Sequence, residues 1–514
     1  LAKLTERSIT LGGVFGGIAS WVAGWARLRP DQPAVIFDDE PITWAAYDEQ
    51  VDRWAAALRA AGVQRADRVG LYMRNRPEFL YVFFAAARIG AIVVPVNHFL
   101  SPREVTYTLR HSGATAVVSD GQFDDVIAQV APELEVRHWI STLDPPPAVT
   151  ATERPSPIVE PIALDDPAVI LYTSGTTGLP KGAVTTHGGI LFCTLQWVIQ
   201  IRHAPGDVHI CHFPLAFTGG TMAATMPVVH SGGTMILDHG FDPGRTLAYI
   251  ERYGISFVAG VPTMWKAMLD HPTFADTDLS SIRLGFIGAA PVPLPLIEAY
   301  RARGVPFAQA YALTEGNGLC LSLPTEDIAR KLGSCGLDLL YCEGKVVDDA
   351  GNEYAPGEVG ELVLRGPVVF AGYWNDPEET ARTLVDGWLH TGDLATRDDE
   401  GYFTIVDRKK DLIITGGLNV YPAEVESVLY GVDGVREAAV VGAPHDHWGE
   451  EVVAVIAGGK DLTEEAVLSG AREGLAAYKV PKRVIFVDEL PKTMSGKIQR
   501  RRVLADLLSS AEEG

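Results

Sequence analysis

A chain of 514 residues exceeds what one hydrophobic core organises, so two or more domains are expected. Hydrophobic residues make up 47% of it, and its 52 glycines and 33 prolines are scattered, which excludes a collagen-like or low-complexity chain. Forty-three basic against 65 acidic side chains give a net charge of −22, which excludes a general nucleic-acid binder but leaves room for a small anion in a locally positive pocket.

The first apolar stretch, SITLGGVFGGIASWVAGWA (8–26), follows Lys3 and Arg7 and has the outline of a signal peptide, but glycines dilute it. The second, FLYVFFAAARIGAIVVPV (79–96), carries Arg88 in mid-span. A spanning helix needs about 20 apolar residues in succession. The second stretch therefore reads as a buried helix followed by a buried strand, and no membrane segment is predicted.

Short apolar runs at 33–37, 68–73, 91–96 and 115–120 read as buried strands, and the three-and-four spacing of 47–62 reads as a helix. The alternation recurs through 245–262 and 296–311. It predicts an α/β fold of mostly parallel sheets covered by helices. From about residue 343 short alternating runs and turn residues predict a β-rich, antiparallel subdomain. A charged, hinge-like run, VDRKKDLIITGG (406–417), then leads into a compact α+β pattern. The division expected is a large N-terminal domain over 1–409 and a small mobile one over 410–514. Five cysteines without a CxxC pair read as reduced thiols of a cytoplasmic protein.

One segment, LYTSGTTGLPKGAVTTHGG (171–189), gives up packing for glycines and hydroxyls. Pro167 to Leu171 supplies a strand, and a glycine-rich loop after it can aim several backbone N–H groups at one anion. Ser174, Thr176 and Thr177 add hydroxyl donors, and Lys181 adds a positive charge. The spacing is neither a Walker loop nor GxGxxG. Taken alone, it leaves both a phosphate loop and a mobile surface loop open.

The segment has company. TSGTTGLPKG (173–182), GAAP (288–291), YALTEG (311–316), GWLHTGDLATRDDEGYFTIVDRKKDLIITGGLNVYPAEVE (387–426) and LPKTMSGKIQRR (490–501) follow in that order. Together they resemble the motifs of the adenylate-forming superfamily: acyl-CoA synthetases, luciferases and peptide-synthetase adenylation domains. The likeness runs from about residue 20 to about residue 508. It implies attack of a carboxylate on the α-phosphate of ATP, giving an acyl-adenylate and pyrophosphate. Two anions must meet, so positive charge and Mg²⁺ are required.

By this resemblance Thr173, Ser174, Gly175, Thr176, Thr177, Gly178 and Lys181 cradle the β- and γ-phosphates. Glu315 holds Mg²⁺, and Thr314 lies beside the α-phosphate. Tyr311 stacks on adenine, with Gly288, Ala289 and Ala290 along the other side. Asp393 takes both ribose hydroxyls, as a bidentate acceptor can, and Arg408 makes a second ribose or phosphate contact. Lys497 bridges substrate carboxylate and phosphate during adenylation, a task suited to a compact, mobile charge. Lys410 aligns with a hinge about which the small domain rotates, after which Gly416 and Gly417 line the thiol's tunnel.

Amino-acid-activating relatives carry an aspartate near the FP region, but CHFPLAFTGGTM (211–222) has no acid. A buried ammonium would go unpaired there, so the expected substrate is a hydrophobic carboxylic acid, fatty or aromatic, without an α-amino group. Phe217 stands where related synthetases have histidine and cannot hydrogen-bond a carboxylate. With Thr218, Gly219 and Ala312, which replaces a usual glycine, it is expected to border the acyl pocket. GGLNVYPAEVE favours CoA as acceptor, with an amine or a carrier protein as the alternative. Relatives of this kind are often dimers, so a homodimer is expected.

Overall fold

The computed structural model describes residues 17–512 apart from 159, 174–178, 289–293, 332, 446, 460 and 493–497. Two large sheets form the body. In the first, six strands lie in the order His138–Ser141, Ala114–Ser119, Arg68–Tyr72, Ile92–Pro95, Pro167–Thr173, Lys181–Thr186. All neighbours are parallel except the last pair, a hairpin. The glycine-rich segment therefore joins two antiparallel strands, with Thr173 and Lys181 directly opposite each other at its ends.

The second sheet has nine strands, parallel through its middle and antiparallel at both ends. Pro33–Phe37 is a strand of this second sheet, parallel to Thr234–Leu237 about 200 residues on. A two-residue turn at Asp38 and Asp39, with φ of 51° and 65°, folds Glu40–Thr43 back against it.

The apolar stretch at 79–96 is a buried helix, Pro77–Arg88, followed by the buried strand Ile92–Pro95. Arg88 tolerates burial because it donates to Asp52 and, at 2.7 Å, to Asp48, while Arg154 covers the same two carboxylates. Residues 8–16 lie outside the described residues, and Ser20–Leu28 is a helix. Among the described residues no helix is long and apolar enough to cross a membrane. All five cysteines are free and buried.

Beyond residue 343 an antiparallel sheet of five strands includes Trp388–Arg397 and Phe403–Arg408. A fourth sheet follows, built from Ile413–Thr415, Leu418–Val420, Val435–His445, Gly449–Gly458 and Arg483–Val487. Helices Pro422–Leu429 and Glu464–Gly474 pack on it around Val425, Leu429, Val440 and Ile456. The fold is thus mixed α/β, with a large N-terminal domain and a smaller C-terminal one.

Candidate active site

The strand Phe307–Leu313 is paired on both sides within its sheet and ends where residues 314–316 make one 3₁₀ turn. Asn317 adopts φ 54°, and the chain then reverses into Gly318–Leu323. The reversal holds Thr314 and Glu315 beyond the carboxyl ends of parallel strands, where ligands of open α/β sheets are bound. Thr314 Oγ1 lies 2.8 Å from Thr218 Oγ1, a hydroxyl pair between residues 96 apart in sequence. Tyr373 donates its phenol to Glu315 Oε1 at 2.9 Å, and the Glu315 carbonyl accepts from the Phe370 amide at 2.8 Å.

Tyr373 faces a second charge. The Lys181 ammonium lies 5.5 Å from its ring centroid and is paired with Glu379 on the helix Pro377–Thr383. Burial, then the neighbouring Glu315 carboxylate, push the Tyr373 phenol far above its ordinary pKa, so it remains a donor. Lys181, Tyr373 and Glu315 thus form a line of cation, ring and anion, with Glu379 behind the cation. Neither Tyr373 nor Glu379 was predicted. GYWNDPEETART reads locally as a turn and a helix start with a solvated acid, so only tertiary contact reveals them.

A second cluster joins two sheets. Asp393 and Arg408 are opposite partners on antiparallel strands, and Arg408 Nε meets Asp393 Oδ1 at 2.5 Å. The Tyr311 phenol donates to Asp393 Oδ2 at 2.5 Å. Burial, followed by the Asp393 charge, raises the Tyr311 phenol well above its ordinary range. Gly288 pairs in register with Ala310, and a Cβ on it would lie 3.0 Å from the Ala310 carbonyl oxygen.

The Phe217–Gly219 stretch leads into a π-helical turn over Gly219–Thr225, an uncommon form that recurs at functional sites. The Phe217 carbonyl accepts from the Thr221 amide at 3.0 Å and its hydroxyl at 2.9 Å. Gly220 is required there, since a Cβ would fall 2.3 Å from the Pro214 carbonyl oxygen. Phe217 is half-buried, while Ala312 is exposed.

Other expected residues stand apart from these clusters. Lys410 sits in the 3₁₀ turn Lys409–Asp411. Gly416 and Gly417, with φ of 56° and 80°, form the two-residue turn between Ile413–Thr415 and Leu418–Val420. The Gly416 amide donates to the Trp448 carbonyl at 2.8 Å. Among the described residues, no hydrogen bond or ion pair joins this turn to Thr314, Glu315 or Lys181. Ser174, Gly175, Thr176, Thr177, Gly178, Ala289, Ala290 and Lys497 lie outside the described residues.

No group of three or more His, Cys, Asp or Glu side chains suited to a metal ion occurs among the described residues. Glu315 alone is compatible with Mg²⁺, which commonly takes one or two carboxylates and completes its shell with water and substrate phosphates.

The chain matches the AMP-binding enzyme family over residues 22–374 and the AMP-binding enzyme C-terminal domain over residues 424–497. A feruloyl-CoA synthase of Amycolatopsis is 40% identical over 489 residues, covering 95% of this chain and 98% of that protein. A long-chain-fatty-acid–CoA ligase of Mycobacterium tuberculosis is 37% identical over 468 residues, covering 90% and 92%. The solved structure of an O-succinylbenzoate–coenzyme A synthetase from Bacillus subtilis, in complex with ATP and magnesium ion, is 32% identical. It superposes with a TM-score of 0.86 over 95% of this chain and 99% of that one. The chain belongs to the AMP-binding enzymes of the adenylate-forming superfamily, within its acyl-CoA synthetase family.

Proposed function

We propose that the chain activates a hydrophobic carboxylic acid, aromatic or fatty, at the site where Thr218, Thr314 and Glu315 come together. The reaction is a two-step ligation: ATP and the acid give an acyl-adenylate and pyrophosphate, and the thiol of CoA then takes the acyl group and releases AMP. The observation that carries the site assignment is the convergence of Lys181 and Glu315 on Tyr373, beside the Thr314 hydroxyl.

On this reading Thr173, residues 174–178 and Lys181 receive the β- and γ-phosphates, and Lys181 exchanges Glu379 for phosphate when ATP enters. Glu315, kept in place by the Tyr373 phenol, holds Mg²⁺, which neutralises charge on the phosphates when bound. Tyr311 and the 288–290 segment flank the adenine, while Asp393 and Arg408 take the ribose. Lys497 supplies positive charge between carboxylate and α-phosphate. Phe217, Thr218, Gly219 and Ala312 border the acyl group, and the absence of an acid in 211–222 supports a substrate without an α-ammonium. Lys410 is the hinge, the domain boundary falls between 409 and 410, and Gly416 and Gly417 line the path of the thiol. A cytoplasmic setting suits the five free thiols.

Of the relatives named above, the feruloyl-CoA synthase and the long-chain-fatty-acid–CoA ligase support an aromatic or a fatty acid without choosing between them. Mass spectrometry of products from ATP, Mg²⁺ and a panel of aromatic and fatty acids, with and without CoA, tests the reading. Acyl-CoA formed only when CoA is present supports it. Acyl-adenylate that accumulates and ignores CoA overturns the choice of acceptor in favour of an amine or a carrier protein.

A further inference from the structure

The Arg500 guanidinium reaches three carboxylates on three segments. Its Nε and Nη2 donate to Glu426 at 2.9 and 2.6 Å, and its Nη1 donates to Asp407 at 3.2 Å and to Asp411 at 3.3 Å. Glu426 lies on the helix Pro422–Leu429, so its bidentate pair with Arg500 is internal to the small domain. Asp407 is different. It sits on Phe403–Arg408, laddered opposite Leu394 in the sheet of the large domain, and is 5% exposed. Its Oδ2 accepts from the Ala423 amide at 2.7 Å, in the first turn of the Pro422–Leu429 helix. One buried carboxylate of the large domain therefore holds both a helix start and an arginine of the small one.

Between these anchors run Lys409, Lys410 and Asp411. A rotation about Lys410 carries Arg500, Glu426 and Ala423 together and leaves Asp407 behind in its ladder. Arg500 keeps Glu426 throughout, so its charge is never buried unpaired, whereas both Asp407 contacts are broken and must be replaced. Arg500 follows the expected lysine by three residues in sequence. Lys492 and Ile498 bridge as antiparallel partners, and the Gln499 amide donates to the Pro491 carbonyl at 2.8 Å, so both flanks of the 493–497 segment are tied to the start of the Arg500–Glu512 helix.

We propose that Asp407 and Arg500 are a positioning pair whose contact sets the preferred orientation of the small domain, and with it the balance between adenylate formation and thioester formation. The proposal rests on the two-step reading above. A contact made in one orientation and lost in the other biases the equilibrium by its own differential free energy.

The test measures both half-reactions on the full chain. One is acid-dependent exchange of pyrophosphate into ATP. The other is single-turnover thioester formation from preformed acyl-adenylate and CoA. Asp407→Asn keeps an acceptor for the Ala423 amide and removes the charge facing Arg500. The ratio of the two rates should shift by about fivefold or more, with thermal unfolding little changed. Arg500→Gln should shift it in the same direction, and the double variant no further than the larger single one. An unchanged ratio, or equal loss in both steps, overturns the proposal. If Asp407→Asn does not fold, Arg500→Lys, which keeps the charge but loses the fork that spans several carboxylates, is measured the same way. A wild-type chain lacking either half-reaction would overturn the reading on which the pair rests, a result distinct from an unmoved ratio.

Discussion

The Tyr311 phenol donates to the Asp393 carboxylate at 2.5 Å, joining the last turn of a parallel strand in the nine-stranded sheet to an antiparallel strand of another, 82 residues on. With Arg408 on the other oxygen, Asp393 is oriented from both sides. Tyr311→Phe keeps the ring and removes that donor. Hydrogen bonds to charged groups contribute about 1.5–3 kcal/mol, so the KM for ATP should rise roughly tenfold, with a smaller effect on kcat. An unchanged KM would show that Arg408 alone orients the carboxylate.

On the proposed reading Glu379, paired with Lys181, competes with phosphate for that ammonium. The Glu379→Gln variant leaves the helix start capped by Asp376, which accepts from the residue 379 amide at 3.0 Å, and removes the rival charge. Its KM for ATP should fall about threefold or more, because the incoming phosphates no longer displace an ion pair. A rise in KM under steady-state kinetics would mean that Glu379 positions Lys181 rather than opposing ATP.

Two buried imidazoles make stability depend on pH. His203 and His209 lie edge to face, with ring centroids 4.2 Å apart, and His209 stacks on Phe257 at 4.5 Å. Burial holds His203 down at about 4 and His209 well below its ordinary value. The unfolded chain, with histidine near pKa 6.5, therefore binds more protons than the folded one. This contribution is complete above about pH 6.5 and is lost as pH falls from there toward 4, at up to about 1.4 kcal/mol per pH unit for each histidine. Melting temperatures should drop between pH 7 and 5, less steeply in His209→Phe than in the wild type. Parallel curves would remove His209 from the account.

Arg88 is buried with Asp48 and Asp52, while Arg154 serves the same acids from a side chain that is 39% exposed. Arg88→Met removes the buried partner of two core carboxylates and should lower stability by about 3 kcal/mol. Arg154→Met should lower it by about 1 kcal/mol, since solvent screens the lost charge. Urea titration of both variants measures the difference, and equal losses would contradict the assigned burial.

The sequence by itself determined the elements and the class of chemistry. The helix Trp44–Ala60 is legible from its three-and-four spacing and the antiparallel sheet after residue 343 from alternation, because each depends on forces acting within a few residues. The motifs around Lys181, Glu315, Asp393 and Lys497 are legible through resemblance to the family the chain belongs to. Tertiary structure alone decided partnership. Pro33–Phe37 joins a strand about 200 residues distant, Tyr373 stands between Lys181 and Glu315, Glu379 opposes the lysine, and Asp407 bridges to Arg500. No local period encodes these choices: they follow from which apolar faces bury one another, and only then do distant charges and hydroxyls come within hydrogen-bond reach.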